Sequence, residues 1–131
     1  MNKNFQLNKR VVIVTGGLGL LGQKHVEVVA ENGGIPIIID INEKKLFLAA
    51  ENIQKKFGVP ALGLNVDITK EKEIINSKKK IVEQFGSIYG LVNNAANNPK
   101  IEENKNKNFT MLENFPLDQW DKDIAVGLTG A

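Results

Sequence analysis

Cysteine is absent from these 131 residues, and histidine, tyrosine and tryptophan occur once each. Without thiols no disulfide framework can form, and one imidazole cannot assemble a zinc cluster. No apolar run approaches the roughly 20 residues needed to span a bilayer. The opening "MNKNFQLNKR" carries charge but no apolar stretch behind it of the kind that marks a leader. An excess of one charge sign is also missing: 17 Lys and Arg face 15 Asp and Glu, a net +2. The lysines are interspersed with acids, so no basic stripe suits a phosphate backbone. Nucleic acid, membrane and metal are therefore not expected partners, and the cytosol is the expected compartment. What remains is ordinary globular usage, 42% hydrophobic and 24% charged, enough for one domain over 1–131.

Short β-rich runs recur along the chain, each followed by a longer segment with helical spacing. "VVIVT" (11–15), "IPIIID" (35–40), "PALGLNV" (60–66) and "IYGLVNN" (88–94) are nearly continuous in apolar residues, as strands covered on both faces should be. Leu46, Ala50, Ile53 and Phe57 fall on one face of a helix that ends at Gly58. Ile74, Ile75, Ile81, Val82 and Phe85 predict a second buried stripe, closed by Gly86. The helix after Gly19 is expected to bury Leu21, His25, Val28 and Val29. The βαβαβαβ order predicts an α/β fold, a doubly wound parallel sheet with helices on both faces. A polar, Asn-rich stretch (97–116) is long enough to be a substrate lid or a disordered connection. Leu117, Trp120, Ile124 and Leu128 then resume a helical period, with Pro116 expected just inside the helix start.

Three glycines, Gly16, Gly19 and Gly22, follow the first strand. Glycines there let the chain turn sharply, let backbone approach a diphosphate, and let the helix pack on the sheet. The helix behind them offers free N–H groups and a positive dipole end to an anion. Asp40 closes the second strand about 20 residues further on, where a carboxylate can accept hydrogen bonds from an adenosine ribose. The competing reading of the triplet is a structural turn alone.

Four stretches carry a family resemblance: "TGGLGLLG" (15–22), "DI" (67–68), "NNAA" (93–96) and "WDKDIAVGLTGA" (120–131). In this order and spacing the chain resembles the N-terminal half of a short-chain dehydrogenase/reductase, a family of Rossmann-type oxidoreductases using nicotinamide cofactors. The resemblance implies a sheet truncated after the fourth strand and the start of the following helix. It implies that Gly16, Gly19, Leu21 and Gly22 line the diphosphate turn, and that Asp40 holds the ribose and repels a 2′-phosphate. No Arg or Lys follows Gly16 to attract that phosphate, so NAD is the expected cofactor. Asp67 and Ile68 would meet the adenine edge, and Asn93 and Ala95 the cofactor's ribose side. A strand-end turn is the alternative for Asp67, and tying neighbouring strands is the expected role of Asn94. A small alcohol or carbonyl compound would be the substrate of the full-length protein, which is expected to be a homo-oligomer. "GLLGQKH" and "NNAANNP" resemble bacterial members that modify surface sugars or flagellin.

The departures bear on catalysis. The glycine spacing is TGxxGxxG rather than the TGxxxGxG of most single-domain members. Gly127 stands where the family has an Asn that organises a proton-relay water. The family's Ser and its Tyr-xxx-Lys pair have no counterpart. Tyr89, the one tyrosine, has Asn93 four residues on and is expected to pack structurally. Ser77 and Ser87 fall in a helix and a turn, and the Lys78–Lys80 run is a solvated helix face. No catalytic residue is assigned. The chain is expected to be inactive by itself as the cofactor-binding half of an NAD-dependent enzyme, the alternative being a non-catalytic nucleotide-binding or interaction module.

Overall fold

Pro36 lies inside a central, buried strand, where a missing N–H would ordinarily cost a ladder bond. A computed structural model describes residues 5–97 and 112–131. In it β1 (Val11–Thr15), β2 (Ile35–Asp40), β3 (Leu62–Asn65) and β4 (Gly90–Val92) form one parallel sheet in the order β3-β2-β1-β4. The Ile35 N–H points at β1, bonding the Arg10 carbonyl, so the nitrogen of Pro36 faces the other way. Pairing with β3 begins only at Ile37 opposite Leu62, and no ladder bond is lost to the proline.

The β-branched runs of β1 and β2 alternate between two apolar layers. Val14 and Ile38 face α1 (Leu20–Glu31) and α2 (Glu43–Phe57), meeting Val26, Ala30, Leu46, Ala50 and Ile53. Val11, Ile13, Ile35, Ile37 and Ile39 face the opposite way and meet Ile81 and Phe85 of α3 (Glu71–Phe85). Helices thus cover both faces, and the doubly wound arrangement stands. The helices α2 and α3 end at Gly58 and Gly86, as their spacing predicts. Beyond β4, α4 (Leu117–Ile124) runs into a π-helical stretch, Ala125–Thr129, where the Gly130 N–H reaches back five residues to the Ala125 carbonyl.

Several expectations need correction. Among the described residues only β1 and β2 are covered on both faces; β3 and β4 are edges of the described sheet, shorter than expected, and Leu91 is 56% exposed. The buried face of α1 is Gly22, Val26, Val29 and Ala30, whereas Leu21, His25 and Val28 are exposed. The helix is turned by the need to seat Gly22 against the β1 turn, and Leu21 swings toward the cleft described below. On α3 the sheet covers Ile81 and, partly, Phe85. Ile74, Ile75 and Val82 lie on a flank it does not reach, 39–56% exposed. Ser77 is buried in their stead, its hydroxyl donating to the Ile74 carbonyl at 2.8 Å. Pro116 stands just outside α4, its carbonyl accepting from Gln119 and Trp120. Most of the predicted lid, 98–111, lies outside the described residues.

Candidate functional site

The chain steps from β1 outward to β2 and β3, then returns to place β4 on the other side of β1. Such a reversal leaves a crevice beyond the carboxyl ends of the strands, because the connecting segments diverge there. A cleft of about 800 Å³ occupies that position, walled by residues following all four strands and by the π-helical stretch.

Its first wall is the β1–α1 turn. Gly16 takes φ +61°, a left-handed conformation that a side chain rarely adopts. A Cβ on Gly22 would land on the Gly16 carbonyl oxygen and approach the Gly17 Cα to 2.8 Å. Helix α1 therefore begins pressed against the turn, and its first N–H groups have no intrahelical acceptor. Gly19 precedes them and brings no side chain to cap them. An anion seated there would find open donors and a favourable dipole.

The turn is clasped from both sides. Thr15, buried at the end of β1, accepts hydrogen bonds from the Asn94 and Ala95 backbone N–H groups, each 3.0 Å, and donates to the Val92 carbonyl at 3.3 Å. The Asn94 amide donates to the Thr15 and Gly16 carbonyls at 2.9 and 3.1 Å. On the β2 side the Gly17 N–H donates to the Ile39 carbonyl, 3.1 Å. Asp40 accepts from the Leu18 N–H through Oδ2 and from the Asn42 N–H through Oδ1, both 3.1 Å.

Asp67 and Ile68 form the third wall. One oxygen of Asp67 accepts from the Thr69 hydroxyl at 2.6 Å and the Thr69 N–H at 3.0 Å. Those two bonds, helped by Lys70, hold its carboxyl below the ordinary range. Glu73 and then Asp67 raise Lys70 in turn, at 3.4 and 3.5 Å. The turn reading for Asp67 is thus realised in the bonding, while the residue also lines the cleft.

Of the residues singled out by sequence, Gly16, Gly19, Leu21, Gly22, Asp40, Asp67, Ile68 and Ala95 all line this one cleft. Asn93 does not: it is exposed and outside the lining, and Asn94 takes the inward place. Tyr89 lies before β4, at the opposite end of the sheet, 59% exposed with Arg10 stacked 4.3 Å over its ring. Lys122, Ala125 and Val126 complete the lining. They belong to the "WDKDIAVGLTGA" stretch, whose match to the family pattern was the available signal. Gly127 is exposed with open space around it. Among the described residues no helix is long and apolar enough to cross a membrane, and no group of three His, Cys, Asp or Glu side chains could hold a metal ion.

Fold and switch-point cleft together define a Rossmann-type α/β protein. The short chain dehydrogenase family model matches residues 10–131, and the chain belongs to that oxidoreductase family. An uncharacterized short-chain type dehydrogenase/reductase of Sinorhizobium fredii is 30% identical over 122 residues, 93% of this chain and 20% of that protein. An NAD-dependent glycerol dehydrogenase of Listeria innocua is 27% identical over 130 residues, 99% of this chain and 46% of that protein. The crystal structure of an NAD+-bound xylitol dehydrogenase superimposes with a TM-score of 0.79 at 28% identity, covering 94% of this chain and 44% of that one. The chain spans less than half the length of each of these relatives.

Proposed function

We propose that this chain is the NAD-binding half of a short-chain dehydrogenase that moves hydride between NAD and an alcohol or carbonyl compound. The observation that carries the proposal is the uncapped N-terminus of α1, facing across a glycine turn a carboxylate at the end of β2. In this reading Gly16, Gly19, Leu21 and Gly22 receive the diphosphate, and Asp40 receives the adenosine ribose. Asp67 and Ile68 border the adenine, and Ala95 borders the cofactor's second ribose. Asn93, outside the cleft, is given no ligand role. The cofactor, when bound, supplies or accepts the hydride; these residues bind and orient it. Two relatives named for glycerol and xylitol support a polyhydroxylated alcohol, such as a sugar derivative, as substrate of the whole enzyme, which we expect to be an oligomer in the cytosol. The sequence in hand holds no Tyr-xxx-Lys pair, so this chain should bind without turning over.

Calorimetry of the chain with NAD and NADP tests this, alongside NADH formation over a panel of alcohols. NAD should bind at least about tenfold tighter than NADP, since a 2′-phosphate beside Asp40 adds a like-charge penalty of about 1.4 kcal/mol or more. No NAD binding, or tighter NADP binding, would refute the assignment. In a longer chain containing these residues, binding without turnover would favour a non-catalytic nucleotide-binding module.

A further inference from the structure

Asp40 has two backbone partners, and one of them belongs to the glycine turn 22 residues upstream. Oδ2 accepts from Leu18 N–H, and Oδ1 accepts from Asn42 N–H. The Asn42 bond restrains the carboxylate in an orientation that turns Oδ2 toward Leu18. Among the described residues the turn is joined to the end of β2 by two bonds, that from Leu18 to Oδ2 and the backbone pair Gly17 to Ile39. Substitution leaves the backbone pair standing and deletes the other. Each carboxylate oxygen still keeps lone-pair capacity for a further donor, and the side chain lines the cleft.

We propose that Asp40 is a positioning residue for the diphosphate turn as well as a sugar acceptor, so that the two halves of dinucleotide recognition are coupled through one side chain. The ligand part rests on the function proposed above; the geometric part does not. Leu18 is half-buried, and its N–H, deprived of Oδ2, would have to find water by loosening Gly17–Gly19. A consequence follows for cofactor specificity. Replacing Asp40 by a basic residue to admit a 2′-phosphate removes the acceptor and slackens the turn that must hold the diphosphate of either cofactor.

Two arms test the proposal on the intact chain. In the first, amide hydrogen exchange without ligand compares wild type with Asp40→Ala: the Leu18 N–H should exchange about fivefold faster or more in the variant, the loss of roughly one net hydrogen bond. Equal exchange overturns the proposal, whatever the chain binds. In the second, inorganic pyrophosphate, which has no sugar, is titrated into Asp40→Ala and Asp40→Asn. Both variants lack the negative charge, so its removal cancels between them; only Asn retains an oxygen for Leu18. Pyrophosphate should bind Asp40→Asn several-fold tighter than Asp40→Ala, and equal affinities overturn the coupling. If wild type binds neither NAD nor pyrophosphate, the functional assignment and the coupling both fail, while the exchange arm still decides whether Asp40 shapes the turn.

Discussion

Gly22→Ala is the substitution whose cost is most directly computable from the geometry. The added methyl would overlap the Gly16 carbonyl oxygen, lie 2.8 Å from the Gly17 Cα and 2.9 Å from the Asn94 amide nitrogen. Two of those neighbours are backbone and cannot rotate aside. Restoring the Gly17 contact to an ordinary 3.5–4.0 Å needs α1 to retreat from β1 by about 1 Å. Overpacking of this kind costs about 1–3 kcal/mol, and backbone obstruction belongs at the upper end. Alanine's helix propensity returns about 1 kcal/mol, because Gly22 is already helical. The net loss is about 2 kcal/mol, which for a domain of this size lowers Tm by roughly 8 °C. Thermal unfolding followed by circular dichroism reads this out, with Gly127→Ala as the matched control. A Cβ at Gly127 meets nothing within 4 Å, so that variant should melt at or slightly above wild type. If Gly22→Ala matched wild type in Tm, the close seating of α1 on the turn would be wrong, and with it the reason the helix presents its N-terminus to the cleft.

Thr15→Val removes the acceptor of two N–H groups and the donor to Val92; urea unfolding should show a loss of about 2–4 kcal/mol. A loss under about 0.5 kcal/mol, the range of a neutral surface change, would mean water replaces the hydroxyl without penalty. Thr69→Val deletes the largest cause of the depressed Asp67 carboxyl and leaves the Thr69 N–H and Lys70 in place, so a carbon-detected NMR titration should find that group moved up toward its ordinary value without reaching it. Because the folded value is lowered, Asp67 contributes stability above the ordinary value and loses it as pH falls through the folded one. The stability gap between wild type and Thr69→Val should accordingly close on acidification, and a gap that widened there would reverse the sign of the argument. Tyr89→Phe should leave NAD affinity unchanged in calorimetry, since the ring lies at the amino end of the sheet; a loss of affinity would contradict that placement.

What the sequence made legible, and what it hid, divides along a physical line. Strand identity and helix ends depend on residues close in the chain: the β-branched run of Val11–Thr15, and the glycines at 58 and 86, carry their own instructions. The phase of an amphipathic helix does not. The apolar residues of α1 allow more than one burial face, and the choice of Val26 and Ala30 over Leu21 and Val28 is made by Gly22 having to meet Gly16. Burial of α3 was similarly overestimated, because periodicity counts apolar side chains and not the sheet area available to cover them; Ile75 and Val82 fall beyond that area. The cleft was the most readable part, since glycines after one strand and an acid after the next do their work at a junction that strand order alone creates. Even there the residue-by-residue reading stopped short at Asp40. Its approach to Leu18 joins positions 22 apart, and no spacing rule assigns a carboxylate to a backbone N–H on a neighbouring strand's turn. A ligand role and a positioning role can thus reside in one side chain with only the first visible to pattern, and a specificity change designed from pattern alone would disturb both.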